Sequence, residues 1–218
     1  MKSMIILSRV LSTLFRPSYY PTLCFIVVLS LTVTTATGYL GLAQRLLLLR
    51  SIVLIVLMVA FFTILIPHLG VMLYCRIAHL SRMQLRQQRY RVIPYFINIA
   101  CYIMCLEWLI YIGMPRNVCC IIVASLALQI ACTAINIWHK VSMHSAAAAG
   151  MTGSLLAYAY IYQFNPMWWL CLTLLVWGAV ATSRILLRIH SLGQVLTGSL
   201  IGLIATYVSI LYSTMWIN

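Results

Sequence analysis

Apolar residues run through this chain in long blocks, with the polar ones gathered in short clusters between them. Seven blocks stand out, at roughly 20–41, 46–74, 94–112, 117–138, 145–163, 167–187 and 190–215. Each is close to or above the ~20 residues an α-helix needs to cross the hydrocarbon core of a bilayer. The pattern predicts an all-α fold, a polytopic membrane bundle of six to seven transmembrane helices. The second block is the longest and contains Pro67, which predicts a kink or an early end there. Ahead of the blocks, residues 1–18 are basic, with Ile6, Val10 and Leu14 on one helical stripe. That segment is expected as an interfacial helix rather than a cleaved signal peptide. The connections are short, so N-terminal helices over 19–75 and a core over 76–218 are expected to form one domain. Ala146, Gly150 and Gly153 in one block, and Gly198-x3-Gly202 in the last, predict close helix contacts. Trp168 and Trp169 are placed at a membrane interface.

Composition sharpens this picture. Of the 218 residues, 64% are hydrophobic and 7% charged, against about 25% charged in soluble domains. Lys and Arg number 14 against a single acid, Glu107, for a formal net charge of +13. In a soluble domain that imbalance would point to nucleic acid. Set between apolar blocks, it points to anionic lipid headgroups, so the expected partners are the bilayer and a lipid, not nucleic acid. Oligomeric state is not readable from the sequence.

The scarcity of acids excludes several chemistries. One carboxylate cannot build an oxygen-ligand Mg or Ca site, the acid pair of a glycosidase or a two-metal phosphatase centre. No metal and no cofactor are expected. The eight Cys lie in or beside apolar blocks, form no C-x-x-C pair, and none is followed by Arg six residues later. They read as small packing residues, and a Cys-x5-Arg phosphate loop is absent. Hydrolysis by this chain must rest on His, Cys, Ser, Lys or Arg.

Counting crossings brings the polar residues together. The basic stretch 76–91 follows the second block, Lys140 and His144 follow the fourth, and Arg184, Arg188 and His190 follow the sixth. All three clusters emerge on one side, with Arg45, Arg50 and Arg116 opposite. Arg184 and Arg188 are i,i+4 at the end of one block, predicting stacking on one helix face. His190 and Gln194 are i,i+4 at the start of the next. Two histidines amid fixed cations suit phosphoryl transfer. One histidine attacks phosphorus, the other protonates the leaving oxygen, and Arg and Lys hold the charged oxygens. The plainer alternatives are structural histidines at helix ends and arginines that reach to headgroups. His68, His79 and His139 fit no pattern and read as structural or interfacial. Glu107 lies within the third block, where an ionised acid is costly. It is expected to pair with Arg50, Arg116 or Arg45.

At these residues the sequence resembles the type 2 phosphatidic acid phosphatases, whose motifs are K-x6-R-P, P-S-G-H and S-R-x5-H-x3-D. The third reads Ser183-Arg184-x5-His190-x3-Gln194, the second Lys140-Val141-Ser142-Met143-His144, and the first Arg82-x6-Arg89 followed by Arg91 and Pro94. The resemblance covers roughly residues 76–205. It implies a metal-independent membrane lipid phosphatase with His190 as nucleophile and His144 as general acid. Arg184, Lys140, Arg82, Arg89 and Arg91 are then phosphate ligands, and Ser142 a hydrogen-bonding partner. Implied substrates are undecaprenyl pyrophosphate, phosphatidylglycerophosphate or lipid A. The implied location is a bacterial inner membrane with the site toward the periplasm, although the basic residues cluster on the catalytic side, which the positive-inside rule puts in the cytoplasm. Gln194 stands where the family carries Asp. It can accept the imidazole N–H but brings no negative charge, which leaves open a slower enzyme, another orienting group, or an inactive fold. Two further readings remain: a lipid-binding or transport protein of the same fold, and a lipid phosphotransferase.

Overall fold

The structure, a computed structural model, describes residues 2–36, 42–79 and 92–215. Among these residues it is all helical. Helix α1 (Lys2–Leu14) leads through a 3-10 turn (Pro17–Tyr19) into α2 (Tyr20–Ala36). Then come α3 (Leu42–Ala60), a π-helical turn (Phe61–Leu65) and α4 (Ile66–Ile77). The rest of the bundle is α5 (Val92–Tyr111), α6 (Arg116–Ile135), α7 (Met143–Tyr162), α8 (Met167–Leu186) and α9 (Leu192–Met215). Five segments are long and apolar enough to cross a membrane: Leu47–Ile77, Val92–Tyr111, Val118–Ile135, Met167–Leu186 and Leu192–Ser213.

Pro67 does not end the second apolar block. It has no N–H to give the helix, and its ring would press on the carbonyl four residues back, at Thr63. The chain relieves this with the π turn just before it, closed by Ile66 N–H on the Phe61 carbonyl, and runs on to Ile77. Thr63 is buried there. Its hydroxyl donates to the Val59 carbonyl at 2.8 Å and meets the Thr22 hydroxyl of α2 at 3.0 Å.

Helix α7 is the axis of the bundle. Its small residues Ala146, Ala147, Ala149, Gly150, Gly153 and Ala157 are buried, as is Tyr158 near its far end. Small residues let neighbouring backbones approach until they touch. The predicted glycines do this: a Cβ on Gly198 would stand 2.6 Å from the Ser142 carbonyl oxygen, and one on Gly202 would overlap the Ala146 carbonyl. Gly153 meets the Leu203 carbonyl in the same way. Polar side chains add local ties: Thr206 of α9 donates to the Gly150 carbonyl at 3.0 Å, and the Tyr20 hydroxyl of α2 meets Ser154 at 2.7 Å.

The expected pairing of Glu107 is absent for two of its three candidate partners. Glu107 is an exposed residue of α5, and no ion pair joins it to Arg50 or Arg116 among the described residues; the Arg45 side chain lies outside them. All eight cysteines are free, six of them buried. Trp168 is exposed at the start of α8, at the end of the helix away from Arg184.

Overpacking a close crossing costs roughly 1–3 kcal/mol or more. Gly202→Val should therefore lower the melting temperature in detergent. Gly178→Ala, in an open stretch of α8 with nothing within 4 Å of its added methyl, should leave it unchanged or raise it, since Gly is about 1 kcal/mol worse than Ala in a helix. Equal melting temperatures for the two variants would contradict the α7–α9 contact.

Candidate active site

The turn between α8 and α9 builds the core of the site. Helix α8 ends in a Schellman arrangement: Arg188 takes φ +51°, its N–H donates to the Ile185 carbonyl at 2.9 Å, and the Ile189 N–H donates to the Arg184 carbonyl at 3.3 Å. The expected i,i+4 stack of Arg184 and Arg188 is corrected by this geometry. The helix ends between them, leaving Arg188 exposed and Arg184 buried.

Helix α9 then starts at a capping box. The Gln194 backbone N–H donates to the Ser191 hydroxyl at 3.4 Å, while the Ser191 N–H donates to Gln194 Oε1 at 3.3 Å. His190 lies just before this cap rather than inside the helix, as its i,i+4 spacing had suggested. It still meets Gln194, with Nδ1 3.1 Å from the same Oε1. That shared atom fixes the tautomer. The backbone N–H of Ser191 requires an acceptor, so the amide oxygen faces it. His190 Nδ1 must then carry the proton it donates, and the lone pair lies on Nε2.

The turn before α7 closes over this loop. Lys140 Nζ donates to the Ile189 carbonyl at 3.2 Å, one residue before His190. The Ser142 N–H donates to the Gln194 carbonyl at 3.2 Å. Ser142 is fully buried, and its hydroxyl caps α7 by accepting from the Ser145 N–H at 3.5 Å. In this arrangement Lys140 and Ser142 hold the loops that carry the two histidines.

His144, Arg184 and His190 line one cavity of about 250 Å³. Arg184 and His190 are each only 7% exposed. Pro17, Val71, Pro94 and Tyr95 form other parts of its wall, so the middle of α4, the end of α8 and the starts of α5 and α7 meet at this cavity. Arg184 Nη1 donates to the hydroxyl of Ser12, and an imidazole N–H of His144 reaches the Ser12 carbonyl. The charges of Arg184 and Arg16 act on the His144 ring. Arg82, Arg89 and Arg91 lie outside the described residues. Among the described residues, no three His, Cys, Asp or Glu side chains gather where they could hold a metal ion.

The sequence reading missed the N-terminal segment as part of this wall. It used the Ile6, Val10, Leu14 stripe, which is exposed, and passed over Ser8 and Ser12 on the opposite face, where Ser8 is buried. A second signal is the spacing Arg9-x6-Arg16-Pro17. Pro17 lines this cavity, and Arg16 precedes it in the chain.

Comparison with known proteins finds no matching family model, no matching curated protein and no matching solved structure.

The tautomer is directly measurable. Histidine ¹⁵N shifts near neutral pH should show His190 protonated on Nδ1, and Gln194→Leu should convert it to a mixture while costing about 1 kcal/mol through the lost cap. Nε2 protonation in the wild type would contradict the shared-acceptor geometry.

Proposed function

We propose that the chain is a metal-independent membrane lipid phosphatase of the type 2 phosphatidic acid phosphatase kind, acting through a phosphohistidine. The observation that carries this reading is the His190–Gln194 contact. It leaves Nε2 of a buried imidazole as the nucleophilic atom in a cavity that also holds His144 and Arg184. His190 Nε2 attacks phosphorus and the bond to the leaving oxygen breaks, with His144 giving that oxygen a proton. His144 then takes a proton from water, whose oxygen attacks the phosphohistidine and frees phosphate and His190. Arg184, a planar bidentate donor, holds the equatorial oxygens where charge builds. Substrate phosphate would take over the Arg184 donor now bound to the neutral Ser12 hydroxyl, because a charged acceptor makes the stronger hydrogen bond. Arg16 supplies a second cation from the N-terminal side, and Arg82, Arg89 and Arg91 remain candidates for others.

Seven crossings fit this site best. With α2, α3 through α4, and α5 to α9 each spanning once, Pro17, Val71, Pro94, His144, Arg184 and His190 all fall on one face. We place that face toward the periplasm of a bacterial inner membrane. The lipid is an undecaprenyl pyrophosphate, phosphatidylglycerophosphate or lipid A type of substrate.

The neutral Gln194 favours one competing reading, a lipid-binding or transport protein that kept the fold without turnover. A lipid phosphotransferase would use the same histidines with an alcohol in place of water, and product analysis with an added alcohol separates it.

Purified protein in detergent with EDTA should release phosphate from at least one of these lipids. His190→Ala and His144→Ala should each reduce the rate at least about a hundredfold. Acid-labile phosphate trapped on His190 would exclude the binding-protein reading. No release from any of the lipids, with wild type equal to His190→Ala, would sink the phosphatase. Gln194→Asp should raise the rate if the missing charge limits it.

A further inference from the structure

A larger cavity, of about 560 Å³, adjoins the candidate site. The two share Val71, and the turn 16–19 divides them: Pro17 faces the smaller cavity, while Arg16, Ser18 and Tyr19 line the larger. The larger cavity is polarised along its length. Arg16, Ser18, His68 and Asn98 lie within about a helical turn of the shared end. Beyond them the wall is apolar, formed by Leu57, Ala60, Phe61, Ile64 and Leu65. From Val71 back to Leu57 is about 21 Å of helix at 1.5 Å per residue. That is well over half of the about 30 Å hydrocarbon core of a bilayer. Leu57, Phe61 and Leu65 in this wall are exposed rather than buried, so the cavity is open along α3 and the π turn, the part of the chain set among apolar membrane-length helices. The π turn at Phe61–Leu65 forms its middle, and such turns recur at functional sites.

We propose that this cavity holds one hydrocarbon chain of the lipid whose phosphate sits at Arg184, with the chain running past Arg16 and along the π turn toward Leu57. This rests on the phosphatase reading and deepens it. The polarity gradient matches an amphiphile, with its anionic end at the shared wall and its chain at the far end. The lateral opening lets the chain enter from the bilayer without leaving apolar surroundings. Such a chain is already in hydrocarbon before it binds, so the cavity adds little hydrophobic driving force. Its effect is to set the register of the phosphate against His190 and to select long-chain substrates over short ones.

The test fills the cavity from Ala60, which lines it without touching the histidines. Two probes differ only in their chain, hexadecyl phosphate and propyl phosphate. Ala60→Trp should raise KM for hexadecyl phosphate by at least about tenfold, the scale of overpacking by a bulky side chain. Its kcat/KM for propyl phosphate and its inhibition by vanadate should stay at the wild-type values. Ala60→Phe should give a smaller change of the same kind. Equal losses on both probes, or no loss on either, would overturn the proposal.

A second measurement is independent of turnover. A diazirine-tailed hexadecyl phosphate should crosslink to residues 57–65 in the wild type and not in Ala60→Trp. Labelling centred on α8 and α9, or unchanged in the variant, would overturn the cavity assignment even if no phosphate is released. Crosslinking at 57–65 without any hydrolysis would keep the cavity and overturn the phosphatase.

Discussion

Everything at the site depends on two helices touching without side chains between them. Gly198 and Gly202 of α9 lie against the carbonyls of Ser142 and Ala146 on α7. In a bilayer, burying apolar surface gives helices little reason to associate, so close contact and polar ties must do it. Here the contact runs to the very start of both helices. It brings the Ser142 N–H to the Gln194 carbonyl and sets the loop before α7 beside the loop before α9. His144 and His190 become neighbours because of that backbone approach. A methyl group at Gly198 would push the two loops apart at their closest point.

The histidine loops are themselves stiff. The link from Arg184 to His190 is consumed by helix-end hydrogen bonds: the Schellman bonds finish α8 and the capping box starts α9. Lys140 adds a tie from the loop before α7. The cavity next to this rigid turn is bounded on its far side by elements of another character. The N-terminal segment meets the buried cation through a neutral serine hydroxyl, and α4 is reached through a widened π turn.

Much of this was legible in the sequence. Block lengths located the helices, and the crossing count put 76–91, 140–144 and 184–190 on one face; of these, His144, Arg184 and His190 line one cavity, while 80–91 lie outside the described residues. The small-residue positions marked the α7–α9 contact correctly, because few side chains other than hydrogen fit a backbone crossing. Four features were not legible. Arg188 looked stacked on Arg184 because spacing says nothing about where a helix stops, and only the left-handed residue ends it. His190 looked helical for the same reason. The wall supplied by Ser12, Arg16 and Pro17 was hidden because an amphipathic helix was read by its apolar stripe, whereas the opposite face decides what it covers. Glu107 was assigned a partner because charge burial was assumed from its place in an apolar block, and its side chain faces outward instead.

The double use of one oxygen has a consequence for how the molecule matures. Gln194 Oε1 serves the backbone at the start of α9 and the ring of His190 at once. Until the last helix has closed its first turn, the Gln194 oxygen is not in place to hold the proton on His190 Nδ1. A chain still being inserted, or one whose last helix has come loose, therefore carries an unset nucleophile. Under the proposed chemistry, reactivity is switched on by completion of the fold, and incomplete copies stay inert among the lipids around them.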